Sequence, residues 1–171
     1  MLATLHRAGM DALRKIGSGV TPTEAMFMAG RNNLMIRFLL RNGQRTGAVR
    51  NLTCLEVENR RNVKDVYIIQ VNTHKTASKF VCQLVLDEKL NHDVDTWARG
   101  RKLFLREKVG EAVSNDLHKA FFCDCKGDFL FSNELSRITR SVIGGSVTQM
   151  RKAQYYLVNF HFCALLSKVI L

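Results

Sequence analysis

Five arginines and no lysine fill the interval between Glu24 and Glu56: Arg31, Arg37, Arg41, Arg45 and Arg50, with no acid among them. A planar guanidinium grips a phosphate or carboxylate through two parallel N–H donors, so an all-arginine run suits phosphate contact better than generic solubility. After Glu134 the bias recurs, with Arg137, Arg140, Arg151, Lys152 and Lys168 facing no acid. Arg31, Arg41, Arg50, Lys79, Arg137, Arg140 and Lys152 are the candidate DNA-backbone contacts, and the stretch from Asn42 to Lys75 is the candidate phosphate-gripping site. The plainer alternative is two solvated basic faces without a site.

The whole chain carries 26 Lys plus Arg against 15 Asp plus Glu, a surplus of +11 in 171 residues. That surplus favours polyanionic partners, nucleic acid first. With 46% hydrophobic and 24% charged residues the composition is globular and not that of a disordered tail, and the length fits one domain, 1–171. Cys54, Cys82, Cys123, Cys125 and Cys163 form an odd set with no C-x-x-C pair and no secretory signal ahead of them. They read as structural thiols in a reducing compartment, with no metal or other cofactor implied. The first twenty residues suit an amphipathic helix better than a mitochondrial presequence. The apolar stretch 155–171 is interrupted by Asn159, His161 and Lys168, so a membrane partner is not expected.

The elements that must position these residues follow from local signals. Thr21-Pro22-Thr23-Glu24 reads as a capping box with proline at the first helical position, opening a helix that Gly30 weakens. A second helix from about Arg31 buries Leu34, Met35, Phe38 and Leu39, and Asn42-Gly43 supplies a left-handed stop. Arg45 follows that stop. From Thr46 a further helix carries Val49, Leu52 and Leu55. Runs 66–71 and 80–86 are β-branched or aromatic and predict a hairpin, with Lys75 in its connection. Helices are predicted from Asp87 to Phe104 and from Arg106 to Asn115, a short strand at 120–122, and a helix from Ser132 or Asn133 to about Ile143. A last helix from about Val147 carries Arg151. The fold class is α+β, mostly helical with a small antiparallel sheet.

Asn42-Gly43-Gln44-Arg45-Thr46-Gly47-Ala48-Val49 together with Leu52, Glu56 and Val57 resembles the first motif of the tyrosine recombinases, the phage-integrase superfamily. His74-Lys75-Thr76, in the predicted hairpin, resembles the lysine turn of that family. Val147-Thr148-Gln149-Met150-Arg151 resembles the box in which the second arginine ends a His-x-x-Arg pattern, with Thr148 at the histidine position. The resemblance spans roughly 31–151, and the wording around Arg45 is most similar to eukaryotic members carried by mobile elements.

The resemblance implies a catalytic fold for DNA recombination and DNA integration, in which a tyrosine hydroxyl attacks a backbone phosphate without a metal. Arg45 and Arg151 would neutralise charge on the non-bridging oxygens, and Lys75 would protonate the departing 5′ oxygen, with Lys79 an alternative in the same loop. Thr148 replaces the family's base. The family's nucleophilic tyrosine lies further beyond the second arginine than Leu171, and Tyr155 and Tyr156 follow Arg151 too closely to serve. The expectation is therefore a C-terminally incomplete domain, with 155–171 an atypical tail, that binds DNA, as a homo-oligomer on DNA in the family's manner, and does not cleave it. A basic chromatin-associated module without catalysis is one alternative, and a membrane-tethered or organellar protein is another. The location expected is nuclear if the source is eukaryotic and otherwise cytoplasmic, and not secreted.

Overall fold

The computed structural model describes residues 2–43, 46–72 and 82–143. Gln44, Arg45, the connection 73–81 with Lys75 and Lys79, and everything from Gly144 on, including Thr148, Arg151, Lys152 and the stretch 155–171, lie outside the described residues.

Helix α1 (Leu2–Gly17) is amphipathic: Ala12, Leu13 and Ile16 are buried while Arg7, Arg14 and Lys15 face solvent. It lies close against α2 (Glu24–Asn42) at Gly9, where an added Cβ would stand 2.3 Å from Asn33 Cβ. Helix α2 begins two residues later than Pro22 would place it. Thr23 is its cap, and the Thr23 hydroxyl accepts the Met26 N–H at 3.3 Å.

The break expected at Gly30 is absent, because α2 runs unbroken through it. The missing side chain there admits the Trp97 ring, whose Cε3 would be 3.3 Å from a Cβ. Packing against that ring compensates for the weak helix propensity of glycine, a local cost of about 1 kcal/mol. The stop falls where expected. Gly43 takes φ 58 and donates its N–H to Leu39 C=O at 3.0 Å.

The single helix expected from Thr46 is instead two short ones, α3 (Thr46–Arg50) and α4 (Cys54–Glu58). Thr53 separates them by capping α4, with its hydroxyl on the Glu56 N–H and the Glu56 carboxylate on its own N–H. Three antiparallel strands follow: β1 (Arg61–Val63), β2 (Val66–Val71) and β3 (Cys82–Asp87), in the order β1-β2-β3. The expected hairpin pairs Ile69 with Leu84 and Val71 with Cys82. Its buried positions alternate with exposed Gln70 and Gln83. Strand β1 gave no sequence signal because all three of its residues are exposed.

Asp87 ends β3 and caps α5 (Glu88–Val109), accepting the Leu90 N–H at 2.7 Å. Gly110, at φ 101, separates α5 from α6 (Glu111–Asn115), so the helix boundary lies four residues beyond Arg106. In place of the strand expected at 120–122 there are single bridges, Thr53 with Ala120 and Cys123 with Phe129. Helix α7 (Ser132–Ile143) covers the stretch where a helix from Ser132 or Asn133 to about Ile143 is expected.

The core forms around α2. Phe27 lies between Trp97 and Phe104, at centroid distances of 4.7 and 4.2 Å, and Phe38 meets the edge of Phe122 at 5.4 Å. These rings are buried, Phe104 at 5% and the others at 0%, and each such burial stabilises by roughly 2–3 kcal/mol. Among the described residues no helix is long and apolar enough to cross a membrane.

Candidate phosphate-binding site

Two intervals of sequence carry Arg45 and Lys75, and the structure ties them together at both ends. The first runs from Asn42 to Glu56, with Arg45 inside it; the second runs from Asn72 to Val85, with Lys75 inside it. Asn42 Oδ1 accepts the Val85 N–H at 2.6 Å, while Asn42 Nδ2 donates to Phe38 C=O at 3.1 Å. Glu56 Oε1 accepts the Asn72 N–H at 2.7 Å. Both are side chain to backbone bonds, so they fix the path of the chain and not merely the neighbourhood. Glu56 is 8% exposed, and its charge is carried by two N–H donors.

Beside this clamp a cavity of about 460 Å³ lies between α4 and the sheet, lined by Glu56, Asn59, Arg61, Gln70, Asn72 and Gln83. Arg61 reaches across it to Gln70 Oε1 at 3.3 Å. In sequence Glu56 stands out only as a slot of the recombinase-like motif. The signal that would have found its anchoring role is Thr53-Cys54-Leu55-Glu56, which spells a capping box.

The third element is α7, which packs against α3 and also touches α1. Helix α3 in turn packs on α2, burying Ala48 and Val49, so the segments leading into Arg45 and leading toward Arg151 share a neighbour. The positions of Arg45, Lys75, Lys79, Thr148, Arg151 and Lys152 themselves lie outside the described residues.

The arginine run that is free of acids in sequence is not free of them in space. Arg31 is 3% exposed; it donates to Cys123 C=O at 2.9 Å and pairs with Glu134 at 3.2 Å. Its burial removes it from the DNA-contact set, because it holds α2 to α7 and the 123 bridge. Arg37 pairs with Asp93 at 2.6 Å in a half-buried setting, and Arg41 pairs with Asp87 at 2.7 Å at the surface. A phosphate at Arg41 would have to compete with that carboxylate. Arg50 is half-buried and donates to Asn51 Oδ1 at 3.1 Å, with no acid against it among the described residues. Arg137 and Arg140 are exposed on α7. Of the candidate backbone contacts among the described residues, those with no acid against them are thus Arg50, Arg137 and Arg140, on α3 and α7, two helices in contact.

The four described cysteines are all free thiols. Burial raises the pKa of each, Cys54 to about 11, and Glu56 adds to the effect at Cys82. They are neutral at ordinary pH and are poor nucleophiles. Among the described residues no group of His, Cys, Asp and Glu converges as a metal site would. Comparison with family models, with curated proteins and with solved structures returns no match.

Proposed function

We propose that the chain binds duplex DNA through its phosphate backbone, with Arg45, Lys75 and Arg151 converging on one phosphate in the manner of a tyrosine recombinase catalytic domain. The observation that carries this reading is the double clamp, Asn42 to Val85 and Glu56 to Asn72. It supports the reading because a phosphate site needs its cations preorganised, and both flanks of Arg45 and of Lys75 are held to one frame. The open arginines Arg50, Arg137 and Arg140 extend the contact along the backbone. The reading assigns phosphate binding to these residues and no cleavage step. It makes nuclear DNA the partner if the source is eukaryotic, with oligomerisation on DNA as in the family.

The test is duplex binding followed by anisotropy across a salt series. Arg45→Ala with Arg151→Ala is expected to weaken binding at least ten-fold and to reduce the salt slope by about 2, one for each lost phosphate contact. Binding unchanged by both substitutions would sink the phosphate pocket and leave a diffuse basic surface, the chromatin-module reading. A nicked suicide duplex separates binding from strand cleavage. A covalent adduct would show that the chain supplies its own nucleophile.

A further inference from the structure

A second cavity, of about 580 Å³, opens between α4, α5, α6 and the segment that leads to Phe121. It is remote in composition from the phosphate site, since none of the residues assigned there lines it. Its lining combines apolar surface from Val57, Ala98, Leu117 and Phe121 with a buried arginine, Arg101.

Arg101 is 3% exposed, and its hydrogen bonding is incomplete. Nε donates to Ala120 C=O at 3.2 Å, while Nη2 is buried and has no partner among the described residues. A guanidinium is always charged, and leaving one buried without an anion is costly unless something else supplies the charge. Nothing described does so. Asp95 is bound by Arg60, Asp116 accepts the His118 N–H at 2.9 Å, and exposed Glu58 makes no ion pair among the described residues. The Cys123 thiol is hydrogen-bonded to Arg101 and the Cys54 thiol lies near it, but burial keeps both neutral, so neither supplies a charge. With Arg60 and Asp95 cancelling, Arg99, Arg101 and Lys102 outnumber Glu58 and Asp116 by one charge.

We infer that this cavity binds a small organic oxyanion, a carboxylate or phosphate monoester carrying one apolar group. The oxyanion completes the donors of Arg101, and the apolar group lies against Phe121 and Leu117. The volume is in the range of small-molecule sites, and a surplus of one charge matches a ligand with a single carboxylate or phosphoryl group better than a polyphosphate. This inference is independent of DNA binding.

The experiment is calorimetric titration of the whole chain with benzoate and, separately, with phenyl phosphate, at fixed ionic strength. Saturable one-to-one binding of either probe is expected, and which one binds tells carboxylate from phosphate. Arg101→Met should weaken it at least ten-fold. Ala98→Phe, which fills the cavity and keeps the arginine, should do the same, and it decides the matter if the Arg101 variant fails to fold. Arg45→Ala with Arg151→Ala should leave probe binding unchanged, which distinguishes this site from the DNA phosphate site. Absence of saturable binding by both probes, or equal binding by the Ala98→Phe variant, overturns the inference.

Discussion

Glu56 Oε1 accepts the backbone N–H of Asn72 at 2.7 Å, and the same carboxylate accepts the N–H of Thr53 at 2.9 Å through Oε2. One side chain thereby fixes where α4 begins and where β2 gives way to the connection that holds Lys75. A buried carboxylate is tolerated there because each oxygen receives a backbone donor, Oε2 from the N-cap Thr53, where the helix dipole favours negative charge, and Oε1 from Asn72 at the end of β2.

Glu56→Ala should destabilise the fold by about 2–3 kcal/mol, since it orphans two N–H groups and removes half of a capping box. Glu56→Gln, which keeps one acceptor, should cost less. Urea denaturation followed by circular dichroism reads both. An unchanged midpoint for the alanine variant would mean that water replaces the carboxylate without loss.

Gly9→Ala should also destabilise, by about 1–3 kcal/mol, although alanine is the better helix former by about 1 kcal/mol. The new Cβ would stand 2.3 Å from Asn33 Cβ and 2.9 Å from Ala29 C=O, and a backbone oxygen has no rotamer with which to retreat. Helix α1 would have to move off α2. Thermal melting measures the loss, and a gain in melting temperature would contradict the close approach.

Arginines that look equivalent in sequence should behave differently. Arg31→Met should cost about 3 kcal/mol, because it takes the buried guanidinium from the interior Cys123 carbonyl and from the partly buried Glu134 carboxylate. Arg137→Ala and Arg140→Ala, at exposed positions of α7, should change stability by less than about 0.5 kcal/mol. Each should instead lower the salt slope of DNA binding by about 1. Paired denaturation and anisotropy on the three variants separate the roles.

The Cys54 thiol is raised by burial from 9.0 to about 11, with Arg101 nearby acting to lower it. The folded state therefore disfavours the thiolate. Its contribution to stability is complete below the ordinary thiol value and is lost as pH rises from about 9 to about 11. At pH 8 iodoacetamide should label Cys54 slowly in the folded chain and rapidly in urea, as read by peptide mass mapping. Equal rates in both states would show that the thiol is exposed.

Local signals in the sequence were strong where one residue decides the backbone. Asn42-Gly43 marked a left-handed stop and the structure has it, because only a residue free of steric penalty takes φ 58 there readily. The hairpin was equally legible, since a period of two with β-branched residues leaves one face buried and one wet. Two of the misread positions depend on distant partners. Gly30 looked like a break, but a ring from α5 fills the space it leaves. Exposed β1 was silent because only its pairing with β2 makes it a strand. Thr53 was read through as helix interior, although its capping box was spelled out.

The sequence by itself determined the basic surplus, the α+β class, the stop before Arg45 and the hairpin around Lys75, because these are set by composition and by neighbours within a few residues. Only the tertiary structure decided which cations are open. Arg31, Arg37 and Arg41 find Glu134, Asp93 and Asp87, carboxylates 46 to 103 residues away along the chain. Charge interactions act through space, so an interval without acids predicts nothing about the acids that folding brings to it. The same reason hid Arg101, an unremarkable arginine in a helix until burial took away its water and left one of its donors without a partner among the described residues.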